Sequence, residues 1–204
     1  MNSVIFVLGP WSSGTTAVTG FIARNGAWSC PPHFRVNDPR TPDTHESAPL
    51  RAMLAKLVRE RTLEPTRPDY RQVFRDWFAP WLDTQRREAR AQGHHQLVLK
   101  HALLPFFLDD IEALCQPRYC LVLRDLASIE ATRRRRGWAA HFGEAGARRL
   151  YNHIFTDFVR CGRNSFALSY ERFRRDTATR EDLVRYCGLN PSPAQRDAAE
   201  RWVK

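Results

Sequence analysis

The feature that most constrains this chain is a short loop near its start. Five apolar residues, Val4 to Leu8, run directly into Gly9-Pro10-Trp11-Ser12-Ser13-Gly14-Thr15-Thr16, and an apolar stripe of helical spacing (Val18, Phe21, Ile22) follows. A strand that turns through a Gly-x4-Gly-x-Thr loop into a helix is suited to holding an anion. Loop amides and the positive end of the helix dipole form the cradle. Gly9 and Gly14 permit the tight path, and Ser13, Thr15 and Thr16 add hydroxyl donors. A Gly- and Ser-rich turn of no function has the same composition. The position between apolar strand and amphipathic helix favours the cradle.

In nucleoside triphosphatases a lysine follows the second glycine and reaches the β- and γ-phosphates. Here that residue is Thr15. The loop keeps the cradle and lacks the residue that serves a triphosphate, so ATP or GTP hydrolysis is disfavoured. A small-molecule kinase, which would need that lysine and Mg²⁺, stands as the alternative enzyme reading.

Further apolar runs at 96–100, 119–123 and 165–168 resemble the first at 3–8. None alternates with polar residues, as expected of strands covered on both faces. Helical stripes lie between them (Phe107, Ile111, Leu114; Leu150, Ile154, Phe158). Interleaved strands and helices predict an α/β three-layer sandwich with a mostly parallel central sheet, read as one domain over 1–204, whose ligands sit at the carboxyl ends of the strands. Residues 28–50 crowd Pro31, Pro32, Pro39, Pro42 and Pro49 into a polar stretch, which suggests a loop or lid on the acceptor side. Residues 59–90 read as helical and Arg-rich, interrupted near Pro65 and Pro68. Their aromatics (Phe74, Trp77, Phe78, Trp81) are assigned to core packing ahead of an acceptor pocket.

A formal charge of +10, from 32 basic against 22 acidic residues, favours an anionic partner without choosing one. No nucleic-acid-binding motif is present, although a basic nucleotide- or nucleic-acid-binding protein without catalysis remains an alternative. Five cysteines with no Cys-x-x-Cys pair are expected to be reduced and in or near the core. No apolar run approaches the ~20 residues of a spanning helix, and a cytoplasmic location is expected. No metal is expected.

The loop resembles the 5'-phosphosulfate loop of the sulfotransferase superfamily, commonly Gly-x-x-(Lys/Arg)-Ser-Gly-Thr-(Thr/Ser), in Ser13-Gly14-Thr15-Thr16. A second segment is similar to the family's 3'-phosphate motif: after the run Tyr119 to Leu123, Arg124-Asp125 is followed by Thr132, eight residues beyond Arg124. A strand-end arginine and a hydroxyl on the next helix can grip one phosphate together. A third segment, Ser169-Tyr170-Glu171-Arg172-Phe173 with Gly188-Leu189, is similar to the Tyr-Glu-x-Leu and trailing Gly-Leu of bacterial members. The resemblance implies a P-loop NTPase-like fold and transfer of a sulfuryl group from 3'-phosphoadenosine 5'-phosphosulfate to a hydroxyl-bearing small molecule or glycan. It implies donor binding by Trp11, Ser12, Ser13, Gly14, Thr15, Thr16, Arg124 and Thr132.

The family's loop cation is replaced by Ser12, and the proline two places after its 3'-phosphate arginine by Leu126. Another cation is then needed beside the leaving phosphate. Lys100, at the end of the second apolar run, resembles the strand-end lysine of many bacterial members. For the base, Glu46 ends a stretch beginning Asn37-Asp38-Pro39-Arg40 that is similar to one closing on a glutamate in bacterial members. His101 resembles the Lys-x-His segment of the histidine-using branch, one residue short, and His45 ranks third. Arg133 to Arg136 point about 100° apart on a helix and cannot all face one ligand; a solvated face is the favoured reading of the run, with one of them helping to bind the 3'-phosphate or an acidic acceptor as the alternative.

Overall fold

The computed structural model describes residues 3–41 and 43–203; Pro42 of the proline-rich stretch lies outside them. Four strands form one parallel sheet in the order β2-β1-β3-β4: β1 (Val4–Leu8), β2 (Leu97–Lys100), β3 (Pro117–Leu123) and β4 (Ser165–Ser169). Register pairs Val7 with Lys100, Leu8 with Leu121, and Leu123 with Ser169, so the carboxyl ends of all four strands share one edge. The continuous apolar runs divide between two faces, as side chains alternate along a strand. Val4, Phe6, Leu8, Leu97, Leu99, Tyr119 and Leu121 enter one cluster, and Ile5, Val7, Val98, Cys120, Val122 and Leu168 the other.

The first cluster is covered by α2 (Ala48–Leu57), α3 (Tyr70–Ala91), α4 (Leu108–Leu114) and α6 (Glu144–Cys161), which follows α5 (Leu126–Arg135). The second is covered by α1 (Thr15–Arg24), α7 (Tyr170–Arg175), α8 (Thr177–Cys187) and α9 (Pro193–Val203). Each fully buried Phe contributes ~1.5–3 kcal/mol, and Phe6, Phe74, Phe78 and Phe107 concentrate that gain on the first face. Phe74 stacks on Phe107 at 4.2 Å and on Phe78 at 4.8 Å, while Trp77 and Trp81 stack on each other and pack against the same cluster. Of the aromatics of 59–90, Phe74 and Phe78 are buried in the core, as expected, and Trp77 and Trp81 are half-buried at its edge. The break at Pro65 and Pro68 falls before α3, and Pro80 lies inside that helix.

Cys30, Cys115, Cys120 and Cys187 are free and buried, but Cys161 is exposed at the end of α6, which corrects its assignment to the core. Among the described residues no helix is long and apolar enough to cross a membrane.

Candidate functional site

The loop from Gly9 to Gly14 leaves β1 at the sheet's carboxyl edge and opens α1. Its backbone is exacting. A Cβ on Gly9 would lie 2.8 Å from Ser13 Oγ and 2.9 Å from the Val122 carbonyl oxygen. Gly14 has a left-handed φ of 98°, and a Cβ there would lie 2.2 Å from the Tyr170 ring. Ser12, without a glycine's freedom, holds a φ of 64°, the kind of strain that clusters at ligand-binding turns. Asp125 caps α5 by accepting from the Ser128 amide, whereas Gly14 gives α1 no side-chain cap. The hydroxyls of Ser12 and Ser13 are buried without a hydrogen-bond partner. An uncapped helix start beside two orphaned buried hydroxyls fits an anion with several acceptor oxygens.

At the end of β3, Arg124 reaches back to this loop. Its Nη1 donates to the Ser12 carbonyl at 2.9 Å and to Thr132 Oγ1 at 3.1 Å. Its Nε donates to Glu171 at 3.3 Å, and its guanidinium lies 4.8 Å from the centre of the Tyr170 ring. Two segments that the sequence places 112 residues apart are thus joined by one side chain. Tyr170 and Glu171, from the third sequence match, adjoin both: the Tyr170 ring lies against Gly14 and the Arg124 guanidinium, and Glu171 accepts from Arg124.

Lys100 and Glu46 meet at the end of β2. Lys100 Nζ donates to Glu46 Oε2 at 2.7 Å, Arg51 Nη1 donates to Oε1 at 3.0 Å, and His101 Nε2 lies 3.4 Å from Oε1. Burial pushes the Glu46 carboxyl upward, but the Lys100 ammonium, the His101 ring in its charged form and the Arg51 guanidinium overcome it and hold the group at about 2. His101 is pulled down to about 4, chiefly by burial, so it is neutral at pH 7. Its Nδ1 accepts from the Leu103 amide at 3.1 Å, which puts the ring proton on Nε2, facing Glu46. Its basic nitrogen is occupied and its side chain fully buried, a poor placement for a base. His45, also buried and also held near 4 mainly by burial, accepts from Arg24 through Nε2 at 3.0 Å and packs edge-on against Trp202. Of the three base candidates, Glu46 lines the cleft.

That cleft encloses about 370 Å³ between the loop, β2, the 33–46 segment and the turn after α5. Trp11, Ser12, Thr15 and Thr16 line one side, with Lys100 and Glu46 beside them; Ser13 and Gly14 lie behind. Phe34, Val36, Thr41 and Thr44 bring the proline-rich segment into the wall, and the Phe34 amide to Glu46 carbonyl bond at 2.8 Å closes that segment on itself. Arg124 and Thr132 stand outside the cleft.

The arginine run is spent differently from the expectation. Arg135 and Arg136 both hold Asp38, and Arg133 and Arg134 hold Glu130. None of the four side chains bonds Arg124 or Thr132; Arg136, whose backbone amide donates to the Thr132 carbonyl at 3.2 Å, lines the cleft, and Arg134 is the most exposed, at 74%. Arg51, Trp138 and Phe142 were not singled out in the sequence; nothing in their local spacing distinguishes them.

Two groups of metal-ligand types occur among the described residues: His33, Asp43 and His45, and Asp109, Asp157 and Cys161. Arg24 bonding to His45 Nε2 leaves that ring's proton on Nδ1, facing Asp43. Arg163 takes both carboxylates of the second group. Hydrogen bonding accounts for the carboxylates of the second group, whereas in the first His45 Nδ1 stands 3.8 Å from Asp43 Oδ2 and has no hydrogen-bond partner.

No family model and no curated protein matches the chain. Solved structures do. The sulfotransferase domain of the Synechococcus PCC 7002 olefin synthase aligns with a TM-score of 0.62 at 19% identity, over 95% of this chain and 76% of that one. This chain has the sulfotransferase fold. Sulfotransferase STF1 from Mycobacterium tuberculosis H37Rv aligns with a TM-score of 0.55 at 15% identity, over 98% of this chain and 71% of that one. Within the sulfotransferase fold seen here, the anion-cradle loop, Arg124 and the Lys100–Glu46 pair all stand at the carboxyl edge of the parallel sheet, where such folds bind ligands.

Proposed function

We propose that this protein transfers a sulfuryl group from 3'-phosphoadenosine 5'-phosphosulfate to a hydroxyl acceptor. The observation that carries the reading is Arg124, whose Nη1 bonds the Ser12 carbonyl and Thr132 Oγ1 together. A donor with phosphates at both ends of one nucleoside suits two anion sites held at fixed separation by a shared side chain. The amides of the loop and the hydroxyls of Ser12, Ser13, Thr15 and Thr16 would hold the 5'-phosphosulfate. Arg124 and Thr132 would hold the 3'-phosphate, with Glu171 giving up its bond to Arg124 Nε.

The bound donor supplies an activated sulfuryl group. Glu46 would accept the acceptor's hydroxyl proton as the oxygen–sulfur bond forms and the sulfur–oxygen bond to phosphate breaks. Lys100 would neutralise the oxygen that departs, replacing the cation that Ser12 does not provide. As Lys100 is drawn towards that oxygen, Glu46 loses its closest cationic partner. Its proton affinity then rises at the step that needs a base.

To test this, the protein is incubated with the sulfuryl donor and a panel of hydroxylated compounds, and release of 3'-phosphoadenosine 5'-phosphate is followed together with sulfated product. Product with this donor, and none from ATP with Mg²⁺, is expected. Phosphorylated product from ATP and no sulfated product would overturn the reading.

A further inference from the structure

The segment that brings Phe34, Val36, Thr41 and Thr44 to the cleft is drawn together at its base by His33, Asp43 and His45. A backbone bridge between His33 and Ser47 sets its two ends side by side. The ligand-type atoms of the three side chains all lie within 4.8 Å of one another. His33 Nδ1 stands 2.9 Å from Asp43 Oδ1, and His45 Nδ1 stands 3.8 Å from Asp43 Oδ2.

Protein groups leave the hydrogen bonding of both rings incomplete. His33 Nε2 faces the Ser29 carbonyl at 3.1 Å, so it carries a proton. Nδ1 of the same ring faces a second acceptor, the Asp43 carboxylate, and a neutral imidazole has one N–H to give. That contact calls for positive charge at Nδ1, either a second proton or a metal ion. His45 Nδ1 is buried without a partner and faces the same carboxylate, on a side chain only 7% exposed. One cation among the three side chains satisfies both rings.

We propose that His33, Asp43 and His45 bind Zn²⁺ or a similar divalent transition metal, which clasps the 34–44 segment over the cleft. Two imidazoles and a carboxylate suit zinc, and ligands at its bond lengths in a tetrahedron stand about 3.3 Å apart. The observed separations surround that spacing, and water completes the shell. The sequence gives no expectation of a metal, because His-x9-Asp-x-His has no familiar ligand spacing. On His33 the Ser29 carbonyl holds the proton on the far nitrogen, as at most metal-bound histidines. On His45 Arg24 opposes the metal, since its Nη1 donates to Nε2. Metal binding moves the ring proton from Nδ1 to Nε2 and breaks that bond. Arg24 keeps the Gly20 carbonyl at 3.1 Å and its place 3.9 Å over the Trp202 ring. Any proton on His33 Nδ1 leaves as the ion enters. The site stands apart from the sulfuryl-transfer reading, although Glu46 follows His45 directly.

Protein stripped with EDTA is titrated calorimetrically with Zn²⁺, and amide exchange of residues 34–44 is followed with and without the ion. One equivalent should bind with a dissociation constant in the micromolar range or below, and exchange in the segment should slow at least tenfold. Asp43→Asn should weaken binding at least tenfold, with His33→Gln as the second variant if Asp43→Asn does not fold. Arg24→Met, which keeps the stem over Trp202 and removes the competing donor, should tighten binding several-fold. No binding, equal affinity in the parent and both ligand variants, or weaker binding in Arg24→Met would overturn the site. Ligand-dependent binding with unchanged exchange in 34–44 would overturn the clasp.

Discussion

Lys100 Nζ lies 2.7 Å from Glu46 Oε2, and both side chains are buried, at 7% and 11% exposure. An ion pair removed from water must be compensated by geometry and further bonds, which Arg51 supplies to the same carboxylate at 3.0 Å. Glu46 therefore keeps one cationic partner, Arg51, should Lys100 be drawn elsewhere.

If Lys100 assists the departing phosphate, Lys100→Ala should lower single-turnover transfer by about 100-fold or more while leaving nucleotide affinity nearly unchanged, the signature of an interaction made chiefly in the transition state. Stability should also fall, by about 3–5 kcal/mol, because one partner of a buried pair is lost. Glu46→Gln keeps the shape and removes the base; it should lose transfer and also some stability, since Lys100 and Arg51 are left without their shared carboxylate. Activity equal to the parent in both variants would remove both residues from the chemistry.

Arg124→Ala should weaken binding of 3'-phosphoadenosine 5'-phosphate by about 1.5–3 kcal/mol, the range of a hydrogen bond to a charged group. It should also abolish preference for the 3'-phosphorylated donor over adenosine 5'-phosphosulfate. Titration calorimetry with the two nucleotides reads both effects. A variant that keeps full preference would place the 3'-phosphate elsewhere.

Much of this was legible in the sequence because the strands are buried on both faces: Val4–Leu8 and Leu97–Leu99 have no polar residue to obscure them. The pairing of Arg124 with Thr132 was legible for a local reason, since a strand end and the next helix fix eight residues in space. The link from Arg124 to Ser12, and the meeting of Glu46 with Lys100 across 54 residues, depend on strand order, which periodicity does not encode. Arg135 and Arg136 were misjudged for the same reason. Their partner, Asp38, sits 97 and 98 residues away on the loop they anchor. His101 was placed correctly beside Lys100, but its burial and the Leu103 amide on its Nδ1 come from the turn that follows.

His45 and His101 are held near 4 against an ordinary value of 6.5. As pH falls through 6.5 the unfolded chain takes up a proton on each ring, and the folded chain does so only near 4. Stability is therefore full above 6.5 and falls between 6.5 and 4, by up to about 1.4 kcal/mol per pH unit for each ring. Glu46, held at about 2, adds a further loss below 4.5. Urea unfolding at pH 7.5, 6 and 5 should show this decline, and His101→Gln should remove about half of it between pH 6 and 5. A flat profile would contradict the buried neutral state of both rings.

Ser12→Lys puts a cation where the loop lacks one. The φ of 64° at this position is no harder for Lys than for Ser, but the Ser12 hydroxyl is buried, so some loss of stability is expected and urea unfolding of the variant reads it. Transfer should rise, and the dependence on Lys100 should shrink in the double variant, as two groups serving one oxygen are not additive. Unchanged turnover in Ser12→Lys would mean that charge at the leaving oxygen is not limiting.

The central claim is that the two anion sites joined by Arg124 take one nucleotide with phosphates at its 3' and 5' positions. The most direct measurement is thermal and urea unfolding with 3'-phosphoadenosine 5'-phosphate, and with ATP plus Mg²⁺ as the comparison. At a hundredfold excess over its dissociation constant, the first nucleotide should add about 2.7 kcal/mol of stability in the parent and only about 0.3–1.3 kcal/mol in Arg124→Ala at the same concentration, and ATP should add far less. Stabilisation by ATP with Mg²⁺ that equals or exceeds that of the bisphosphate would contradict the account.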